Sequence, residues 1–291
     1  MISENFKQQT ILAIKTDREL YSSASKHARK LGISAAQYSR ISNGETNRVI
    51  SDASWISIAR LLNVQLNNQT KWNTVKTETF NFIHTQLEAC QKRSLSAIFC
   101  DMAGIGKTHT ALYYVRRNKN AVYIDCSQVK SKQKLIRKIA REFGLNHTGR
   151  YADVYEDLVY YIKTIPTPLI ILDEAGDLDY AAFLELKAIW NATEYACAWY
   201  MMGADGLKEK ITRQKNLKKV GYTEIFDRYG NKYNKVTPDG SDALKQFSLQ
   251  QVAQIAKANN SKTSALQMYA KTNGSLRKVR TEIQKEQLLS A

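Results

Sequence analysis

Asp101-Met102-Ala103-Gly104-Ile105-Gly106-Lys107-Thr108 lies between an apolar run, Ser96-Ala97-Ile98-Phe99-Cys100, and a helix-forming run from His109 to Arg117. Strand, glycine-containing loop, Lys-Thr and helix, in that order, make the setting of a phosphate-binding loop. Backbone N–H groups of such a loop converge on an anion, helped by the positive end of the helix dipole. Ala103, Gly104, Ile105, Gly106, Lys107, Thr108 and His109 are therefore the candidate nucleotide contacts. Lys107 is expected on the β- and γ-phosphates of ATP and the Thr108 hydroxyl on Mg²⁺. The first glycine of the usual pattern is replaced by Asp101. A carboxylate facing phosphate is unfavourable, so it is expected to point outward or to cap a neighbouring amide.

A second motif lies downstream. Leu169-Ile170-Ile171-Leu172-Asp173-Glu174 is a continuous apolar run ending in two carboxylates. It reads as a buried parallel strand whose carboxyl end, where ligands of open α/β sheets bind, carries Asp173 and Glu174. Asp173 is expected to hold the Mg²⁺ shell and Glu174 to orient the attacking water. Ala121-Val122-Tyr123-Ile124-Asp125-Cys126 and Ala198-Trp199-Tyr200-Met201-Met202-Gly203 supply further strands. The fold class is thus α/β, a P-loop NTPase core with a parallel sheet flanked by helices. In ATPases of this class the tip of the fourth strand carries a polar γ-phosphate sensor, which makes Asp205 a catalytic candidate. Arg228 and then Arg213 are candidates for an arginine finger offered to a neighbouring subunit. Residues 246–291 read as a small helical lid, with Arg277 in the first turn of its last helix and able to fold over the phosphates.

The chain before this core is helical. Ser23 to Leu31, Ala35 to Ser42 and a third segment from Ser51 have the turn signals of a helix-turn-helix over residues 1–66. Tyr38 and Ile41 are expected inward; Ala36, Gln37 and Arg40 are expected at the DNA major groove. Residues 67–76 read as a polar linker and 77–245 as the ATPase core. A net charge of +16 on 291 residues points to a polyanionic partner, nucleic acid above all. Lys130, Lys132 and Lys134 cluster at a helix start; such a run is ordinarily a solvated face, and here it is also a candidate DNA-backbone contact. The four cysteines form no C-x-x-C pair and read as reduced thiols. No signal-peptide core or membrane-spanning run is evident, so a cytoplasmic protein without a membrane partner is expected.

The phosphate loop, the Leu-Asp-Glu strand, the Gly-Ala-Asp strand tip and the Gly274-Ser275-Leu276-Arg277 lid together resemble an AAA+ ATPase of the initiator-like branch. With a phage-repressor-like helix-turn-helix in front, the arrangement is similar to that of the MuB transposition proteins, relatives of IstB and TnsC. The resemblance implies an ATP- and Mg²⁺-dependent protein that forms filaments on double-stranded DNA with little sequence preference. It further implies delivery of target DNA to a DDE transposase, stimulation of strand transfer, and release by slow, DNA-stimulated hydrolysis that underlies target immunity. The alternatives are a replication initiator or helicase loader, an ATP-sensing transcriptional regulator, and a nucleotide-binding scaffold without turnover.

Overall fold

The computed structural model describes residues 2–64 and 72–289. The first half of the expected linker, 67–71, lies outside the described residues. Four helices come first: α1 (Glu4–Arg18), α2 (Ala24–Leu31), α3 (Ala35–Ser42) and α4 (Asp52–Leu61). Each begins on a serine whose hydroxyl accepts a first-turn amide, namely Ser3, Ser23, Ser34 and Ser51. These caps satisfy backbone donors that the helix itself leaves unpaired. The four helices close around Ile14, Tyr38, Ile41, Trp55 and Ile58. Helix α1 adds to the three segments expected from residue 23 onward.

The core follows as α5 (Glu78–Arg93), β1 (Ser96–Cys100), α6 (Lys107–Val115), β2 (Ala121–Asp125), α7 (Lys132–Glu142) and α8 (Tyr151–Thr164). It continues through β3 (Leu169–Asp173), α9 (Tyr180–Ala192), β4 (Ala198–Gly203), α10 (Asp205–Asn216), α11 (Tyr222–Arg228) and β5 (Tyr233–Asn234). The five strands lie in the order β2-β3-β4-β1-β5, and every pair is parallel. Every residue of β3 and β4 is buried, as expected of strands covered on both faces. Alternate residues serve opposite layers. Ile170, Leu172, Trp199 and Met201 pack into one core, beside Leu135, Ile139 and Phe183. Ile171, Tyr200 and Met202 pack into the other, beside Ile83, Leu87 and Ala111.

The basic stretch 207–235 contains most of α10, the whole of α11 and the short edge strand β5, none of which the sequence patterning singles out. The lid consists of α12 (Ser241–Ala258), α13 (Ala265–Thr272) and α14 (Leu276–Leu288), closed around Val252, Ile255, Met268, Val279 and Ile283. Helix α12 begins at Ser241, so the boundary expected at 245/246 falls inside it.

The N-terminal helices rest on the far end of α7 and on α8. The Tyr21 hydroxyl donates to the Glu142 carbonyl (3.2 Å), and the Lys26 ammonium lies 3.8 Å from the Tyr161 ring centroid. The approach is close enough that a Cβ on Gly144 would overlap the Lys26 carbonyl. No described helix is long and apolar enough to cross a membrane.

Candidate active site

The loop after β1 bends through Gly104 (φ +81°) and Gly106 (φ +103°), backbone conformations that favour glycine, and Gly106 caps α6. That geometry places Lys107 and Thr108 in the first turn of α6, just beyond the carboxyl edge of the sheet. The Lys107 ammonium is buried and donates to the carbonyls of Asp101 (2.6 Å) and Met102 (2.7 Å). Burial lowers its pKa, against the opposing pull of Asp173, Asp101 and Glu174. Its partners are neutral carbonyl oxygens, which an anionic phosphate chain would replace with a stronger, charge-assisted contact.

Strand β3 delivers Asp173 to the same edge. The Thr108 hydroxyl donates to Asp173 Oδ2 (2.6 Å), the Tyr123 hydroxyl donates to that same oxygen (2.9 Å), and the Glu174 amide donates to Oδ1 (3.0 Å). Glu174 sits in the left-handed region (φ 49°), so its side chain turns out of the strand direction. Burial raises the Glu174 pKa, and the neighbouring Asp173 charge adds to the rise.

Asp101 points neither to solvent nor toward the α6 amino terminus. Its buried carboxylate accepts from the amides of Met102 (2.8 Å), Val236 (2.8 Å) and Thr237 (3.0 Å) and from the Thr237 hydroxyl (2.6 Å). It caps a neighbouring amide and, in addition, ties the phosphate loop to the segment that runs from β5 into the lid.

The lid touches the loop from the other side. The Leu276 amide donates to the Gly104 carbonyl (2.9 Å), and a Cβ on Gly104 would lie 2.7 Å from Ser275 Oγ. Between loop and lid lies a cavity of about 330 Å³, lined by Ala103–His109, Glu174, Arg277 and Arg280, with Trp72, Val75, Phe80 and Leu276 forming its apolar part. An apolar end and a cationic, amide-rich end suit a nucleotide. Thr108 and Asp173 form the hydroxyl and carboxylate pair that would hold Mg²⁺ beside the phosphates.

Residues 91–211 match the AAA domain family model. The match spans β1 through most of α10, and with the parallel sheet it supports an AAA+ ATPase core. A Staphylococcus aureus protein described as a potential ATP-binding protein is 26% identical over 165 residues, covering 54% of this chain and 52% of the relative. The chain thus spans about half the length of that curated relative.

Other sequence candidates are placed unevenly around this site. His109 lines the cavity, and its Nε2 lies 3.1 Å from the Thr74 hydroxyl. Arg277 lines the lid side as an exposed side chain. Asp205 requires correction as a strand-tip sensor. Strand β4 ends at Gly203, Ala204 caps α10, and Asp205 falls in the first helical turn, exposed and lining a different concavity with Lys208 and Arg213. An acidic residue there is accounted for by the helix dipole.

Arg228 donates through Nε to Asn191 Oδ1 (2.7 Å), and its guanidinium lies 5.3 Å from the Trp190 ring. The Trp190 indole donates to Ser96, the first residue of β1, so Arg228 lies at the edge of the sheet opposite the phosphate loop. It is out of reach of its own site. Arg213 is exposed in the last turn of α10.

On α3, Ala36 and Arg40 are exposed, and Arg40 pairs with Glu45 (2.8 Å). Gln37 departs from expectation. Its amide accepts from the Ser34 N–H (3.0 Å) and donates to the Val49 carbonyl (3.4 Å), because a glutamine at the third helical position completes a capping box. Lys130, Lys132 and Lys134 are all exposed at the carboxyl edge of the sheet, with Lys130 3.8 Å from Asp177. Residue-by-residue reading missed Arg280, which lies 5.3 Å from the Trp72 ring, and Tyr123. Arg280 was discoverable, since it follows Arg277 by three residues and shares its helical face.

Proposed function

We propose that this protein is an ATP-dependent DNA-binding protein that coats duplex DNA as a helical filament, delivers target DNA to a DDE transposase and stimulates strand transfer. ATP hydrolysis would then release it. The observation that carries the ATPase part is the convergence of Lys107, Thr108, Asp173 and Glu174 at one sheet edge, under a lid bearing Arg277 and Arg280. The potential ATP-binding description of the relative agrees with that part. The net charge of +16 supports a polyanionic partner, and the resemblance to MuB proteins supplies filament and transposase.

In this reading Lys107 exchanges two loop carbonyls for β- and γ-phosphate oxygens, and the amides of Gly104 to Thr108 cradle the chain. Thr108 and Asp173 would hold Mg²⁺, which would supply neutralisation of phosphate charge. Glu174 orients and polarises the attacking water. Arg277 and Arg280 reach the nucleotide from the lid, while Arg228 or Arg213, both away from the phosphate cavity of their own chain, suit a finger offered to the next copy. A head-to-tail contact of that kind does not close on itself and propagates as a helix. Lys130, Lys132 and Lys134, with Arg40 and Ala36 on α3, are the candidate DNA contacts. With Gln37 engaged by the Ser34 amide and the Val49 carbonyl, the α3 face offers few base-reading groups, which agrees with binding governed by the phosphate backbone.

The test is ATP hydrolysis with and without long duplex DNA, alongside electron microscopy of the same mixtures. DNA-stimulated turnover, lost in Glu174→Gln while coating persists, supports the proposal. Protection of one defined site would instead identify a transcriptional regulator. Coating of any duplex, with stimulation of a helicase and not of a transposase, would identify the initiator or loader. An absence of turnover in the parent protein would identify a scaffold.

A further inference from the structure

Asp173 is buried, and its Oδ2 is shared by two hydroxyl donors. One is Thr108, part of the phosphate-loop motif. The other is Tyr123, from the middle of β2, a strand that contributes nothing else to this carboxylate. The pairing of β2 with β3 sets Tyr123 beside Ile171 and Asp125 beside Asp173. A side chain as long as tyrosine's is needed to reach from that position to the carboxylate at the strand end; the phenol bridges the distance and leaves its ring against the α6 layer.

A Mg²⁺-holding carboxylate must present one oxygen toward the metal shell while the other is fixed, and its orientation depends on the groups that hydrogen-bond to it. Oδ1 is fixed by the Glu174 amide. Were the Thr108 oxygen to hold Mg²⁺, its proton could still donate to Oδ2, but the hydroxyl would no longer be free to orient for the carboxylate alone. Tyr123 is the remaining donor on Oδ2, and it is held by the sheet rather than by the loop.

We propose that Tyr123 is a positioning residue for Asp173, fixing the carboxylate so that the phosphate site can take up nucleotide together with Mg²⁺. The inference rests on the ATPase reading above. Tyr123 does not line the cavity between loop and lid; it acts through Asp173, with the Thr108 hydroxyl beside it.

The experiment measures the affinity of a fluorescent ATP analogue for the full chain in excess Mg²⁺ and again in EDTA, for the parent, Tyr123→Phe, Asp173→Asn and the double variant. The parent is expected to bind more tightly with Mg²⁺. Tyr123→Phe should lower the Mg²⁺-supported affinity about tenfold, the scale of one hydrogen bond to a charged group, and leave the EDTA affinity unchanged. In the Asp173→Asn background the same substitution should have no further effect on the Mg²⁺-to-EDTA ratio, because the carboxylate charge that would hold Mg²⁺ is gone. An equal loss in both conditions would mark Tyr123 as a packing residue and overturn the proposal, as would no loss in either. A parent that binds no nucleotide in either condition would instead overturn the ATPase reading on which it rests.

Discussion

At the scale of single residues, Asp101 and Lys107 divide the work of the loop. Asp101 turns its charge away from the α6 amino terminus and spends it on the amides of Val236 and Thr237. Asp101→Ala leaves those buried donors unpaired, which costs about 3 kcal/mol, and should appear as a lowered thermal midpoint of the core. Lys107→Ala acts differently: the fold loses little, since only two loop carbonyls lose a partner, but affinity for ATP should fall by about a hundredfold or more in equilibrium binding, as expected for removal of a charge-assisted contact to phosphate. Lys107, Thr108 and Asp173 were legible as a site because each belongs to a short local motif. Tyr123 was not, because its significance depends on which strand pairs with β3, and pairing is a property of the sheet. Asp205 misled for a related reason. A residue two steps beyond a strand can stay at its tip or open a helix, and Ala204 capping α10 decides it here.

At the scale of elements, the phosphate loop is held between the two ends of the lid, by Asp101 near the entry to α12 and by the Leu276 amide at the start of α14. Motion of the lid therefore acts on the loop directly. Gly104→Ala combines an unfavourable positive φ with a Cβ placed 2.7 Å from Ser275 Oγ. It should weaken ATP binding at least tenfold and speed hydrogen exchange at the start of α14, while the sheet keeps its protection; unchanged exchange there would show that the lid is held by other contacts. The strands β1 to β4 were legible because strands buried on both faces are continuous apolar runs. The two-residue β5 and helices α10 and α11 were hidden in a cation-rich stretch whose apolar positions, such as Leu207, Ile211, Ile225 and Phe226, are too sparse to set a period by themselves.

At the scale of the whole molecule, the N-terminal helices are joined to the core through a charged network. Asp17 accepts from Lys30 (3.3 Å) and lies 3.0 Å from His27 Nε2; Lys30 in turn lies 3.9 Å from Glu142 on α7. Burial alone would raise the Asp17 pKa, but the His27 and Lys30 contacts outweigh it and the net shift is downward. A carboxylate with a lowered folded-state pKa stabilises above its unfolded value, and the stability is lost as pH falls through the folded one. The α2 amides should therefore lose hydrogen-exchange protection in acid below the ordinary aspartate value of 3.8, and Asp17→Asn should remove that dependence. The measurement that bears most directly on the central claim, that a triphosphate gripped by Lys107 enables this basic chain to coat DNA, is electron microscopy of the protein on long random-sequence duplex with ATP, without nucleotide, and with Lys107→Ala. Continuous coating by the parent only when ATP is present, absent from Lys107→Ala, is the predicted result. Equal coating in all three samples, or none with ATP, would contradict it.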